Sequence, residues 1–365
     1  MNSQKPRILV CPLNWGLGHA TRSIPIIREL LKNGAEVIIG ANGSSAALLK
    51  IEFPNLVHLK APEFAVKYSR SKMLFPLFMA FQFLKFKKVI AKEQEWLKKI
   101  IIEHKIDGVV SDNRYGLFNS KIPAVLITHQ LNIKTGFSNW VDAVVNKNLL
   151  LPLLNRFSTI WIPDNENDFS LAGELSHPTY KPNAELNYLG LVNRFSTAPL
   201  EMVEKKKILI ILSGPEPQRT MLENKILAEI NSIGEKMVVV RGLPASTEKI
   251  KNKDLVQFYN HLGAEELAKE IEQAEIIIAR SGYSTLLEIL PLGKKSVLIP
   301  TPGQTEQEYL AHKLYNEKRV LAIEQKYFNL KEVLQKARQF PYETPILEVN
   351  QGLSKTVANW IRNNF

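Results

Sequence analysis

The sequence predicts two successive α/β domains, each a doubly wound parallel sheet covered by helices, and three observations carry that expectation. Short runs of Val, Ile and Leu recur along the chain and are continuous rather than alternating, the pattern of parallel strands covered on both faces. Helical patterns fall between them, which makes βαβ units. The pattern then restarts halfway, and 365 residues exceed the ~250–300 at which one hydrophobic core stops growing.

In chain order, strands are expected at 7–13, 36–41, 57–61, 108–112, 124–129 and 160–164. Those of the second half are expected at 207–213, 237–241, 256–259, 276–281, 296–301 and 319–323. Helices are expected at 23–33, 91–104, 221–233, 265–274 and 305–317, with a last one at 354–363. Residues 193–206 (NRFSTAPLEMVEKK) are polar, contain a Pro and lead into the fresh strand KILIILS. The expected division is therefore 1–193, a linker at 194–206, and 207–350. The final stretch, 351–365, is free to cross back to the first domain. Ligands of such sheets bind beyond the carboxyl ends of the strands, so two facing domains would share a cleft there.

Composition narrows the class. With 45% hydrophobic and 23% charged residues the chain is globular rather than disordered. A single cysteine, Cys11, excludes a disulfide framework and a Cys-based zinc site, and reads as buried strand filler. The start has no long apolar h-region, and no segment reaches the ~20 apolar residues of a spanning helix, so a cytoplasmic protein is expected. The net charge of +11 is uneven. Residues 1–195 hold 24 Lys+Arg against 15 Asp+Glu, and 196–365 hold 23 against 21. An anionic partner for the first half follows, unless the charges simply solvate helix faces. The positive charge is not interleaved with aromatics in a nucleic-acid motif, so no nucleic-acid partner is expected. Between 67 and 88 the apolar run MLFPLFMAFQFLKF is edged by lysines, which suits an anionic membrane surface at the inner face of the plasma membrane; a core segment edged by lysine stems is the alternative.

Three loops carry the chemistry. After the first strand come Gly16, Gly18 and His19, opening a helix. Glycines admit close backbone approach, the helix start presents N–H groups, and a neutral imidazole there can take a proton from a hydroxyl. A helix-capping histidine is the plainer alternative. The loop lacks GK[ST] and a third glycine, so it is neither a P-loop nor a dinucleotide fingerprint. The second loop, at 274–314, reads strand, Arg-Ser-Gly turn, helix, strand, Pro-Gly loop, helix. Arg280, Ser281, Gly282, Ser284 and Thr285 surround a helix start suited to a diphosphate, and Glu288 lies on the same helix face as Ser284, where a carboxylate can accept two ribose hydroxyls. Glu288 could equally be a solvated helix residue. Gln304 and Gln307 offer amides at the next helix start. The third loop, SGPEPQR, puts Ser213, Gly214 and Arg219 after the first strand of the second domain.

Taken together these stretches resemble the GT-B glycosyltransferases of family 28. The family's Gly-rich loop ending in His is similar to Gly16-Leu17-Gly18-His19, and its acceptor-side motif is similar to His129-Gln130-Leu131-Asn132 with Gly136. Its Arg-x-Gly-x-x-Thr-x-x-Glu segment is matched at Arg280, Gly282, Thr285 and Glu288; its later Asp-x-x-Gln is met by Gln304 and Gln307 alone. The resemblance implies two Rossmann-like domains and transfer of a hexose or N-acetylhexosamine from a UDP-sugar. It implies Glu288 on the ribose, 281–285 on the diphosphate aided by Arg280 or Arg219, Gln304 and Gln307 on the sugar, and His19 as base. The acceptor is a glycan or lipid-linked sugar of the cell envelope, no cofactor is implied, and no metal is expected. The chain departs from the peptidoglycan branch at Asn14, Trp15, Gln130, Leu131 and the SGPEPQR loop, which implies a divergent branch. A sugar-nucleotide epimerase, needing further carboxylates such as Asp112 or Glu216, and a non-catalytic nucleotide-sugar binder remain open at this level.

Overall fold

The computed structural model describes residues 5–14, 17–63, 75–167, 169–195, 207–214, 216–244, 246–248, 250–253 and 255–365, with the side chains of 75–85 outside the description. The chain forms two compact units. The first comprises Met1–Asn14, Ser23–Gly190 and Gln351–Phe365; the second comprises Trp15–Arg22 and Leu191–Asn350.

The first unit holds seven strands, β1 (Arg7–Pro12), β2 (Glu36–Ala41), β3 (Val57–Lys60), β4 (Gly108–Asp112), β5 (Ala124–Ile127), β6 (Thr159–Ile162) and β7 (Glu185–Tyr188). They run parallel in the order β3-β2-β1-β4-β5-β6-β7. The strand order reverses beside β1, the point at which such a sheet opens for ligands. Leu9, Val109, Leu126 and Ile160 from four of these strands pack into one core with Leu97, Ile100 and Leu154. Cys11 is part of that core, and burial raises its thiol pKa to about 12, so it is an inert filler. The last helix, Leu353–Asn364, belongs to this unit: Trp360 meets Trp161 edge-on at 5.6 Å, and Gly108 has no side chain because one would run into Phe365 and Trp360.

The second unit holds β8 (Lys207–Ile211), β9 (Met237–Val240), β10 (Val256–Tyr259), β11 (Ala274–Ala279), β12 (Lys295–Leu298) and β13 (Leu321–Ala322), parallel in the order β10-β9-β8-β11-β12-β13. This is the doubly wound dinucleotide-type order, with its reversal between β8 and β11. Ile208, Ile210, Ile276, Ile278 and Val297 form its core with Leu222, Ile226, Leu330 and Leu334 from flanking helices.

Three differences from the sequence reading have physical causes. The division of the chain falls between Gly190 and Leu191, and Asn193, Arg194 and Phe195 are buried rather than solvated, because their polar groups find partners inside the second unit. Residues 15–22, expected with the first domain, group with the second. The helix expected at 91–104 runs from Phe75 to His104, absorbing the end of the 67–88 segment; residues 67–74 and the side chains up to 85 lie outside the described residues. Among the described residues no helix is long and apolar enough to cross a membrane.

Candidate active site

Where the strand order reverses in the second sheet, the loops after β8 and β11 are neighbours. Ser213 and Gly214 follow β8 half-buried, with Gly214 at φ +101°, a conformation that favours glycine. Thr301 after β12 lies beside Gly214, its hydroxyl 3.6 Å from where a side chain would begin; that hydroxyl is buried with no hydrogen-bond partner. Arg280, Ser281 and Gly282 follow β11, and the short helix Tyr283–Ile289 starts directly after them. Ser281 Oγ donates to the carbonyl of Gln307 at 2.8 Å, Gln307 Oε1 accepts from Thr301 N at 2.9 Å, and Gln307 Nε2 donates to Gln304 Oε1. Gly282 has the Thr285 hydroxyl and the Gln307 amide as its nearest side chains. Sequence-distant residues expected to form one site are thus brought together here: Ser213, Gly214, Ser281, Gly282, Thr285, Gln304 and Gln307.

Glu288 closes this group one turn along the same helix. It is only 8% exposed, and its Oε1 accepts from Arg194 Nε at 2.7 Å. Arg194, read from sequence as the first linker residue, is therefore part of the site. Its guanidinium also lies over the Phe195 ring at 5.4 Å. His261, just beyond β10, belongs to the same electrostatic neighbourhood. Burial and then the Arg194 charge bring its imidazole down to about 4, against the opposing effect of Glu266, and its Nε2 is buried without a partner.

Gly18 and His19 belong to the second unit as well. A side chain on Gly18 would begin 2.6 Å from Ser284 Oγ, so glycine is required for this loop to lie against the helix bearing Glu288. Thr21 Oγ1 closes the turn onto the Gly18 carbonyl at 3.0 Å. His19 Nδ1 accepts from Arg22 at 2.8 Å; a guanidinium only donates, so the ring proton resides on Nε2.

Two residues expected as anion ligands are engaged by the protein itself. Arg280 does not offer its guanidinium to an anion: it is 1% exposed and donates to the carbonyls of Ile299 and Gln218, tying three loops, while burial lowers its pKa to about 10. Arg219 is 6% exposed and is held by Glu216 and Glu223. Both were read as anion ligands because sequence reveals a charge and not its partner. Glu216 in turn is half taken up by Arg219: burial raises its pKa, but the hydrogen bonds from Arg219 and Thr220 outweigh it and hold the carboxyl below the usual range. It does not resemble the poised acid an epimerase would need.

In the first unit, His129 is buried just after β5 and Gln130 is half-buried, its N–H donating to Thr128 Oγ1 at 3.0 Å. Asn132 is likewise engaged within the fold. Its side chain donates to the carbonyls of Glu174 and His177 and accepts from Thr179 N at 3.1 Å, so it staples the 174–179 segment rather than meeting an acceptor. Gly16 lies outside the described residues. Asp164, at the end of β6, accepts from Asn165 N, Leu171 N, Ala172 N and the hydroxyls of Ser170 and Ser176. It is the hub of a turn. Among the described residues no group of three or more His, Cys, Asp or Glu side chains is arranged for a metal ion.

Residues 208–348 match the glycosyltransferase family 28 C-terminal domain. An uncharacterized glycosyltransferase of Methanosarcina acetivorans is 23% identical over 323 residues, 83% of this chain and 81% of that one. The UDP-N-acetylglucosamine–N-acetylmuramyl-(pentapeptide) pyrophosphoryl-undecaprenol N-acetylglucosamine transferase of Buchnera aphidicola is 23% identical over 98% of this chain and 96% of its own. The crystal structure of the glycosyltransferase SnogD from Streptomyces nogalater superposes with a TM-score of 0.62 at 16% identity, covering 99% of this chain and 100% of that one. Two parallel-sheet units of this topology are the GT-B arrangement, and together with the glycosyltransferase relatives they mark the chain as a glycosyltransferase of that class. Residues 208–348, within the second unit, are similar to the family 28 C-terminal domain, and the relatives that span most of the chain include a pyrophosphoryl-undecaprenol N-acetylglucosamine transferase and uncharacterized glycosyltransferases, as a divergent branch does.

Proposed function

We propose that this glycosyltransferase moves a hexose or N-acetylhexosamine from a UDP-sugar to the hydroxyl of a glycan or lipid-linked acceptor. The observation that carries the reading is the convergence, at the strand reversal of the second sheet, of a half-buried glycine loop, a Ser-Gly helix start and a buried carboxylate one turn further on. In this reading the backbone at 213–214 and 281–285 holds the diphosphate, the second oxygen of Glu288 accepts ribose hydroxyls, and Gln304 with Gln307 faces the sugar. The leaving diphosphate is stabilised by these donors without a metal, so transfer is expected to persist in chelator. Attack of the acceptor hydroxyl on the anomeric carbon needs a base, and His19 takes that role once Arg22 leaves its Nδ1. The name of the Buchnera relative, which includes a pyrophosphoryl-undecaprenol, and the basic 67–88 segment support work at the inner face of an anionic membrane.

Thermal unfolding with UDP, GDP and dTDP tests the donor site. Ligand at 100 times its dissociation constant adds about 2.7 kcal/mol, roughly 5–10 °C for a domain of this size. UDP is expected to give the largest shift, and Glu288→Ala to remove most of it. No shift with any nucleotide would sink the reading.

A further inference from the structure

Glu288 is oriented by a residue from far along the chain. Arg194 Nε reaches its Oε1 at 2.7 Å, with side-chain exposures of 2% and 10%. A charge-assisted hydrogen bond in so dry a setting fixes the plane of the carboxylate and leaves Oε2 outside the bond. The segment that carries Arg194 is itself pinned to the helix that carries Glu288. Asn193 Nδ2 donates to the carbonyl of Leu287, the residue before Glu288, at 2.7 Å. Asn193 and Asn350 exchange hydrogen bonds, Asn193 N to Asn350 Oδ1 at 3.0 Å and Asn350 Nδ2 to Asn193 O at 2.9 Å. Phe195 N donates to Asn193 Oδ1 at 2.8 Å, which sets the turn that aims the guanidinium. Every one of these bonds lies within the second unit.

We infer that Arg194 is a positioning residue for nucleoside recognition: by holding one oxygen of Glu288 it presents the other to the vicinal hydroxyls of the donor ribose, and so sets the preference for ribo- over 2′-deoxyribonucleoside diphosphates. The inference rests on Glu288 being the ribose ligand. It gives the buried 193–195 segment a function that its place between the domains conceals. The brace of Asn193 and Asn350 holds the segment that carries the guanidinium, so the carboxylate geometry is set before the donor arrives. Losing that preset orientation weakens only contacts to the 2′- and 3′-hydroxyls.

Calorimetric titration of the full chain with UDP and with 2′-deoxy-UDP tests this on four proteins: the natural one, Glu288→Ala, Arg194→Gln and Arg194→Lys. The natural protein is expected to prefer UDP by about ten-fold or more, the scale of a hydrogen bond to a charged group. Glu288→Ala should abolish the preference. Arg194→Gln should lower UDP affinity about ten-fold with a smaller loss for 2′-deoxy-UDP, which keeps only the 3′-hydroxyl contact, and Arg194→Lys should restore part of it. If Glu288→Ala keeps the preference, the ribose reading fails. If Glu288→Ala loses it but a folded Arg194→Gln keeps it, the positioning inference alone is overturned. Equal losses for both nucleotides in Arg194→Lys would overturn it too, since a purely structural role affects both alike.

Discussion

At His19 the direction of one hydrogen bond decides where a proton sits. Arg22 can only donate, so Nδ1 accepts and Nε2 carries the hydrogen. Nitrogen NMR of histidine-labelled protein is expected to show the Nε2–H tautomer for His19 without ligands and a mixed population in Arg22→Met. His19→Ala should lower turnover by about 10²–10⁴ with donor affinity nearly unchanged, the signature of a lost base; unchanged turnover would remove His19 from the chemistry. Residues near each other in sequence were the ones legible as a site. Ser281, Gly282, Thr285 and Glu288 share one helix start, and Gln304 and Gln307 another, so local spacing together with the family resemblance singled them out. Arg194 was not legible because its partner is 94 positions away, and a polar stretch with a proline looks like a linker whichever way its side chains turn. The partners of Asn132 were hidden for the same reason, lying on 174–179.

At the scale of elements, the loops after β8, β9 and β10 are tied by a buried ionic network. Glu223 sits between Arg219, at 3.1 Å, and Arg241, at 2.7 Å, and Arg241 continues to Asn260 Oδ1 at 2.8 Å. Replacing Glu223 by Gln leaves the buried Arg241 guanidinium without a carboxylate and Arg219 with Glu216 alone, and such a broken buried pair typically costs about 3–5 kcal/mol. Urea unfolding of Glu223→Gln is expected to show a loss of that order, whereas a loss below about 1 kcal/mol would mean that water reaches the network. Most strands were readable from continuous apolar runs. The exception is β7, whose sequence ELNY lies on a sheet edge with every residue exposed or half-buried, so it carries no apolar signal. The helix Leu330–Gln339 went unread as well: its apolar positions form a narrow stripe between charges, and its start is marked only by the Asn329 cap, which accepts from Glu332 N at 3.0 Å.

At the scale of the whole molecule, His261 links protonation to stability. Burial and the Arg194 charge bring its pKa in the folded protein down to about 4, below the ordinary imidazole value of 6.5. The unfolded chain therefore binds a proton first as pH falls, so stability drops as pH is lowered from about 6.5 to about 4 and this contribution is level outside that window. Urea midpoints followed across that range should fall less steeply in His261→Gln than in the natural protein; parallel curves would show that the imidazole titrates normally.

The route of the chain through its two units bears on how such enzymes can be recombined. The first unit is completed by Gln351–Phe365 and the second by Trp15–Arg22, so neither is a continuous stretch of polypeptide. A single crossover in the 196–206 region would hand a new donor domain the wrong glycine loop and would replace Trp360, the edge-on neighbour of Trp161, with a stranger's residue. Exchange of the second unit by gene fusion therefore needs junctions at 14/15, 22/23, 190/191 and 350/351. Lineages that swapped the domains as whole blocks would have had to repair Gly18 against Ser284 and Trp360 against Trp161 afterwards, and those four positions are where the scars of such an event would be found.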